Sequence, residues 1–277
     1  MLKALFQCII CLLCCATTLA FAGGLSGAHV NQITIDPSGT LYVATEDGLY
    51  RSRTSGQTYE LLPTNTFFTA FSAVALAPSD PSVLYAGGFG VLVKSQDGGA
   101  TWTSIQAGVT DSFVTAIAVD PINPQIAYVA TTFGGVFKTT NGRGGWLPIN
   151  TGLLTSSFFT SLAIDPSNPS VLYLGTADSG VFKTTDGGQT WRQANRGLDA
   201  WWVFSIVIDP RNTSVVYAAA GGGIYKSRDA GASWARSSTG ISAYVSVLAI
   251  CPSNPSVLYA AAPPIVTSAA AMFRSTD

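Results

Sequence analysis

The chain has 277 residues, of which 10% are charged, and it contains 28 glycines and 14 prolines with a formal net charge of −1 at pH 7. The weak charge and the lack of a basic run in the sequence argue against nucleic acid as a partner. Frequent Val, Thr, Tyr, Phe and Trp, together with many turn-forming residues, favour strands and tight turns over long helices.

Residues 1–22 have the composition of an export signal. Met1-Leu2-Lys3 gives a short basic start, residues 4–19 are almost wholly apolar, and Ala20-Phe21-Ala22 fits a cleavage site of small residues. The apolar stretch is short for a membrane span, although an uncleaved anchor is the alternative. We therefore predict an exported protein, periplasmic or extracellular, that has no membrane span once the signal is cleaved.

Residues 23–277 repeat one plan six times, with a period of roughly 43 residues. In each repeat an apolar run ends at or just before a proline, and a tyrosine follows a few residues later. The prolines are Pro37, Pro78, Pro121, Pro166, Pro210 and Pro252. The tyrosines are Tyr42, Tyr85, Tyr128, Tyr173, Tyr217 and Tyr259.

The fourth repeat shows the internal plan most clearly. Its sequence predicts four short strands, A to D, at about 159–164, 171–175, 180–184 and 190–194, because Asp-Pro, Asn-Pro, Gly and Asp-Gly-Gly separate the apolar runs. Four antiparallel strands in a repeat of this length are typical of one blade of a β-propeller. We predict an all-β fold, a β-propeller of four-stranded antiparallel blades. An open solenoid of β repeats is the alternative.

The turn between strands C and D carries a recurring acid, glycine and tryptophan, in "SQDGGATW", "TTDGGQTW" and "SRDAGASW". Glycine tolerates the positive φ of such a turn, the aspartate accepts hydrogen bonds from the turn, and the indole covers the hairpin. One carboxylate in each turn is too few ligands for calcium, so we predict no metal and no cofactor. A weaker copy is "TTNGRGGW". The residues predicted to be structural are Asp97, Trp102, Asn141, Trp146, Asp186, Trp191, Asp229 and Trp234.

These phrases resemble the Asp-box, or BNR repeat, of the form Ser/Thr-x-Asp-x-Gly-x-Thr/Ser-Trp. Propellers with such boxes include sialidases, sortilin-type receptors, xyloglucan-cleaving glycosidases and photosystem II assembly factors. The resemblance covers essentially the whole of residues 23–277 and implies a propeller in which the box is structural and lies away from the functional face.

The sixth repeat reaches Asp277 without the Gly-Gly-x-Thr-Trp phrase and strand D of the other repeats. An unpaired strand edge is a liability that a closed ring of blades normally avoids. We therefore predict a propeller with an incomplete last repeat that is truncated at its C-terminus. A six-bladed ring with a three-stranded last blade is the alternative.

The loops between strands B and C and between strands D and A vary freely in sequence, and they share one edge of the blades. Variable loops on a repeated frame are where binding is normally placed. Aromatic side chains there could stack on sugar rings, on an apolar peptide or on planar pigments, or could fill the channel as core. The candidate binding residues are His29, Phe113, Phe158, Trp201, Trp202, Tyr244, Asp178 and Asp199.

For function, we predict a non-catalytic propeller that binds a protein or carbohydrate ligand through this variable edge, with no catalytic residue. The alternative is a secreted polysaccharide-cleaving glycoside hydrolase, which needs two carboxylates about 5 to 10 Å apart and would take them partly from blades beyond this sequence. The acids available at the variable edge are Asp178, Asp199, Asp111, Glu46 and Asp47. A second alternative is an assembly or stability factor for a membrane complex.

Overall fold

The computed structural model describes residues 25, 29–67, 70–109, 113–154, 157–238, 241, 245–262 and 271–275. The predicted signal at 1–22 and the candidate Tyr244 lie outside these residues. The described chain is all-β and forms a propeller of six antiparallel blades, of which five have four strands and the last has three. The predicted fold class is therefore confirmed.

Two compact units divide the chain, and the first of them ends at Pro148. Blade 1 consists of β1 (Val30–Ile35), β2 (Leu41–Thr45), β3 (Leu49–Ser52) and β4 (Glu60–Leu61). Blade 2 consists of β5 (Phe71–Ala77), β6 (Asp80–Gly88), β7 (Val91–Ser95) and β8 (Thr103–Ser104). Blade 3 consists of β9 (Val114–Val119), β10 (Ala127–Thr131), β11 (Val136–Thr139) and β12 (Leu147–Pro148).

The second unit begins at Ile149 and holds the other three blades. Blade 4 consists of β13 (Phe159–Ile164), β14 (Leu172–Thr176), β15 (Val181–Thr184) and β16 (Arg192–Gln193). Blade 5 consists of β17 (Val203–Ile208), β18 (Val216–Ala220), β19 (Gly223–Ser227) and β20 (Ala235–Arg236). Blade 6 consists of β21 (Val247–Ile250), β22 (Leu258–Ala262) and β23 (Ala271–Ser275).

Strand order follows the chain in every blade, and neighbouring strands are antiparallel. Strand A of blade 4 has the predicted bounds, and strand B is shifted by one residue. Strand D was predicted at 190–194 but covers only Arg192–Gln193. It is shorter because the main-chain N–H of Trp191 donates to the carbonyl of Thr151, 2.8 Å away, outside its own sheet.

The second strand of each blade lies in the core, and in five blades all of its residues are buried. These strands read "LYVAT", "AYVAT", "LYLGT", "VYAAA" and "LYAAA". A strand covered on both faces loses the alternation of apolar and polar residues, and each square ångström of apolar surface removed from water contributes about 25 cal/mol. Burial of these strands between neighbouring sheets of the same unit therefore stabilises the fold.

The tyrosine that marks the repeat joins blades 1, 2 and 4 to the blade that follows each of them. The Tyr173 hydroxyl donates to the carbonyl of Ala230 (2.8 Å), and Lys183 Nζ lies 5.3 Å from the Tyr173 ring centroid and donates to the same carbonyl (2.7 Å). In the first unit the Tyr85 hydroxyl donates in the same way to Pro124 (2.8 Å). Burial raises the pKa of Tyr173 and lowers that of Lys183. In these blades the repeated tyrosine therefore makes a contact between neighbouring blades.

A second contact between blades, which we call the tryptophan clasp, uses the indole at the end of the C–D turn. Each indole N–H donates to a carbonyl beside strand D of the preceding repeat. The three bonds are Trp146 to Ile105 (2.8 Å), Trp191 to Ile149 (2.8 Å) and Trp234 to Ala194 (2.7 Å). Trp102 differs, because its indole donates to Gly99 in its own turn (3.1 Å).

A glycine that follows strand D completes each tryptophan clasp. Gly152 and Gly197 have φ of +90° and +80°, where side chains are strained. A Cβ atom at Gly152 would overlap the carbonyl oxygen of Trp191, and one at Gly197 would overlap that of Trp234. Glycine is needed here because its φ is positive and because a side chain would not fit. The two blades are therefore in contact through main-chain atoms.

The aspartate of each C–D turn binds the turn itself. Asp186 accepts hydrogen bonds from the main-chain N–H of Thr190 (2.9 Å), from its hydroxyl (2.6 Å) and from the hydroxyl of Thr184 (2.7 Å). These bonds, of which that from the Thr190 hydroxyl has the largest effect, lower the pKa of Asp186 to about 2. The pKa values of Asp97 and Asp229 are lowered to about 2 in the same way. Asn141 accepts from Thr139 (3.1 Å) and from the Arg143 N–H (3.0 Å).

These low pKa values predict how stability depends on pH. Because the folded-state pKa is about 2 and an unfolded aspartate titrates near about 3.9, the aspartates stabilise the fold above about pH 4, and this contribution is lost as the pH falls from about 4 to about 2. We expect the melting temperature to fall across this window, and to fall less in the variant Asp97→Asn/Asp186→Asn/Asp229→Asn. Circular dichroism melts from pH 7 to 2 measure it, with Asp47→Asn as the control. Equal slopes for the triple variant and the control would contradict the prediction.

Candidate functional site

The candidate residues at the variable edge occupy equivalent positions in successive blades. In five blades the carbonyl of the residue before strand A accepts a hydrogen bond from an N–H at the end of strand B. These carbonyl and N–H pairs are His29 with Glu46 (3.3 Å), Ala70 with Phe89 (3.3 Å), Phe113 with Thr132 (3.0 Å), Phe158 with Ala177 (2.9 Å) and Trp202 with Gly221 (2.8 Å). In these five blades the residue before strand A therefore occupies an equivalent position within its own blade.

In the first unit, the candidates His29 and Phe113 are both exposed. The Phe113 ring lies 6.3 Å from the ring of Phe89, tilted by 60°. Among the described residues, no three His, Cys, Asp or Glu side chains lie close enough together to hold a metal ion. Asp111, named above as an available acid, lies outside the described ranges.

In the second unit, the loop between strands B and C of blade 4 is held at several points. Gly180 N–H donates to the carbonyl of Trp201 (2.9 Å), and the Asn195 amide donates to the carbonyl of Ser179 (2.8 Å). The hydroxyls of Ser157 and Ser179 are 3.2 Å apart. Asp178 is exposed on this loop. Its carboxylate is therefore presented to solvent from a fixed backbone.

Asp199, in the segment between β16 and β17, is positioned by a tyrosine. The Tyr225 hydroxyl donates to the Asp199 carboxylate, and a Cβ atom at Gly222 would lie 2.6 Å from that hydroxyl. Burial, with a smaller contribution from the bond to Asp199, raises the pKa of Tyr225 to about 12. The hydroxyl thus keeps its proton and stays a donor across the physiological range. Asp199 is exposed but oriented.

Two indoles stand in solvent beside these acids. Trp201 is 64% exposed and Trp202 is 56% exposed. The Trp202 ring meets the Phe204 ring edge to face, with centroids 6.4 Å apart. Neighbouring exposed rings beside fixed polar groups are typical of a binding surface. We call the set Phe158, Asp178, Asp199, Trp201 and Trp202 the indole platform; all its members belong to the second unit.

Sequence reasoning did not single out Tyr225 as part of this site. It belongs to the aromatic position before the lysine of strand C, which is Phe137 in blade 3 and Phe182 in blade 4. Comparison of the repeats would not have singled it out, because blade 1 also has a tyrosine, Tyr50, before the cation of strand C. Trp202 was found by counting back from the end of strand A, and Trp201 was named as its neighbour.

Comparison with known proteins begins with sequence. No family model matches the chain. A curated relative, a xyloglucanase of Hypocrea jecorina (strain QM6a), is 34% identical over 129 residues, which cover 43% of this chain and 14% of that protein. The chain thus matches only a small part of the length of this relative.

Solved structures share the fold over most of this chain. An ancestral GH74 enzyme has a TM-score of 0.75 at 22% identity, covering 93% of this chain and 37% of its own. The GH74 xyloglucanase from Xanthomonas campestris has a TM-score of 0.70 at 18% identity, covering 94% and 45%. YCF48 bound to D1 peptide has a TM-score of 0.68 at 16% identity, covering 90% and 78%. At these identities the similarity shows the propeller fold alone.

These findings contradict the prediction of a non-catalytic binding propeller. The curated relative is a xyloglucanase, which favours the glycoside hydrolase alternative. The prediction was wrong because it gave the acids of the variable edge no catalytic role, although a glycoside hydrolase needs only a pair of carboxylates. Loops far apart in the chain can assemble such a pair in the fold.

The described part of the chain has no helix of the length and apolarity needed to cross a bilayer.

Proposed function

We propose that the chain belongs to the propeller of an exported glycoside hydrolase that cleaves a polysaccharide of the xyloglucan class. The observation that carries the proposal is the 34% identity to a xyloglucanase over 129 residues. The chain spans part of such an enzyme, so the proposal concerns the contribution of these blades to substrate binding and hydrolysis.

The indole platform supplies the surface for the sugar chain. Indole rings stack on the apolar faces of sugar rings, and each ring offers a large apolar surface for such a contact. Trp201 and Trp202 are exposed and adjacent, and their main chains are fixed by bonds to Gly180 and Gly221. Two rings held in this way bind a chain of sugars without a large loss of entropy.

Two carboxylates border the platform. A glycoside hydrolase uses one carboxyl group to protonate the leaving oxygen and a second to attack the sugar or activate water. Asp199 is oriented by Tyr225, so it is the carboxylate that attacks or activates water. Asp178, on the fixed loop 177–180, protonates the leaving group. Asp178 and Asp199 are the carboxylates at this edge among the described residues of the second unit.

The finer sequence predictions fit the same proposal. Residues 1–22 export the chain to where polysaccharide is found. The turns that contain Asp97, Asp186 and Asp229 are Asp-boxes, with their carboxylates bound within the turn. In the second unit they follow strand C, at the end of the blade away from the indole platform. They support the fold and take no part in the chemistry.

Incubation with xyloglucan tests the proposal. We expect the purified chain to release reducing ends, and its tryptophan fluorescence to change on binding xyloglucan oligosaccharides. The variant Trp201→Ala/Trp202→Ala removes two stacking surfaces, so binding is expected to weaken by about ten-fold or more. Leu147→Ala, which removes an exposed apolar side chain from strand D of blade 3, is the control. Absence of reducing ends, together with equal binding by the double variant and the control, would refute the proposal.

A further inference from the structure

We propose a second carbohydrate site, specific for acidic polysaccharide, on the outer strands of blades 4 and 5. Its ligand is a chain of uronate sugars, which carry carboxylates. The site is a groove bordered by cationic side chains, which we call the outer groove. The cations are Lys183, Arg192, Arg196, Lys226, Arg228 and Arg236. This inference goes beyond the proposed hydrolase and does not depend on it.

The outer groove consists of two adjoining cavities. The first, of about 530 Å³, extends from strand D of blade 4 to Gly231 and Ala232 in the C–D turn of blade 5. The second, of about 360 Å³, extends from Asp229 and Trp234 in that same turn to strand D of blade 5. Both volumes are in the range of small-ligand sites. Because the two cavities lie against the same turn, residues 229–234, a polymer that crosses this turn would contact both.

The charge of the outer groove is positive although the protein as a whole has a net charge of −1. Its arginines are exposed, and the two acids beside them, Asp186 and Asp229, are bound by Thr190 and Ser233. Within the described residues, the ion pairs found join Glu60 to Arg51 and Arg53 in the first unit. None of the groove's arginines has a described carboxylate within 4.0 Å.

Comparison of the blades shows that this charge is not a requirement of the fold. In blade 1 the cation of strand C, Arg51, faces Glu60 across the strand pair at 2.6 Å. In blade 4 the equivalent residues are Lys183 and Arg192, directly opposite each other. Like charges in facing positions of an antiparallel pair destabilise it. The arginine at a position where an acid would stabilise the sheet supports an anionic ligand for the groove.

The chemistry of the groove selects a carboxylate-bearing sugar chain. The planar guanidinium group binds a carboxylate through two parallel hydrogen bonds. Thr185 and Gln193 in the same cavity offer partners for sugar hydroxyls, and Gly231 and Ala232 form a wall with little side chain. Proteins that bind duplex DNA through its backbone make about 6–10 phosphate contacts. Four exposed arginines interspersed with two acids are too few for that.

The test is titration calorimetry with polygalacturonate, at low and at high salt. We expect saturable binding that weakens with salt, and a loss of at least ten-fold in affinity for Arg192→Glu. We also expect this variant to have a higher melting temperature than the wild type, because a glutamate there pairs with Lys183 as Glu60 pairs with Arg51. Loss of binding in a more stable variant cannot come from unfolding. The control Arg53→Gln/Arg143→Gln makes the same change in net charge in the first unit.

The proposal is overturned if polygalacturonate does not bind saturably, or if Arg192→Glu binds as tightly as the control. It is also overturned if a single-stranded DNA of similar charge binds as tightly as polygalacturonate. Hydrolysis of neutral xyloglucan is measured separately on the same variants and is expected to be unchanged by Arg192→Glu. Failure of the outer groove is in this way distinct from failure of the proposed hydrolase.

Discussion

Replacing Asp199 by asparagine is expected to lower the rate of xyloglucan hydrolysis by about 10²- to 10⁴-fold, the usual contribution of a general acid or base. Asparagine has the same shape and still accepts a hydrogen bond from Tyr225, so the local structure is kept. It cannot attack the sugar or take a proton from water. Binding of xyloglucan oligosaccharides is therefore expected to change little.

Initial rates of reducing-end release, measured beside fluorescence titration with oligosaccharide, separate these two effects. Asp178→Asn is expected to show a loss of similar size. The control is Asp209→Asn, because Asp209 lies at the far end of β17, a strand of six residues and about 20 Å. Asp209 accepts hydrogen bonds from Arg211 and Asn212 in its own turn. If Asp199→Asn hydrolyses xyloglucan as fast as Asp209→Asn, the assignment of Asp199 is wrong.

Replacing Trp191 by alanine is expected to destabilise the fold by about 3–5 kcal/mol, the usual effect of removing a large buried aromatic side chain. Trp191 is only 2% exposed. Its indole donates to Ile149 and its main chain to Thr151, so the change leaves a cavity and an unpaired carbonyl between two blades. The free energy of unfolding, from guanidinium denaturation, measures the effect.

Trp102→Ala is the matched control for this prediction. Trp102 is partly buried, and its indole bonds to Gly99 in its own turn. Its indole makes no tryptophan clasp, so its replacement is expected to lower the free energy of unfolding clearly less than Trp191→Ala does. Equal destabilisation by the two variants would show that burial of the ring, and not the clasp, stabilises the blades.

The repeats made most of the fold predictable, because each sequence landmark has a physical role. The proline marks the end of strand A, and the tyrosine reaches the next blade, as Tyr173 reaches Ala230. Strand D was predicted too long because it was placed directly after the Asp-Gly-Gly turn signal, at 190–194, whereas it covers Arg192–Gln193. The bond from Trp191 to Thr151, in the preceding repeat, competes with strand pairing and cannot be read from the local pattern.

The candidate site was predictable only in part. The positions of Phe158 and Trp202 follow from counting back along strand A. In the structure both residues directly precede strand A of their blades and accept an equivalent hydrogen bond. The contact of Tyr225 with Asp199 joins residues from a strand and a loop, and the repeat pattern does not contain it. The function was predicted wrongly for a related reason, because the repeated pattern says nothing about the loops that do not repeat. Whether these residues bind a ligand stays a prediction.

The tryptophan clasp also bears on how such a protein can change in evolution. Gly152 and Gly197 meet Trp191 and Trp234 through main-chain atoms, which every repeat possesses. A copied repeat would therefore dock on its parent without new complementary side chains, as in other repeat proteins whose units contact only their neighbours. Gain or loss of a whole repeat is then tolerated, whereas an insertion between strand D and the glycine would separate two blades. Duplication of a gene segment of one full period is the expected route by which blade number varies.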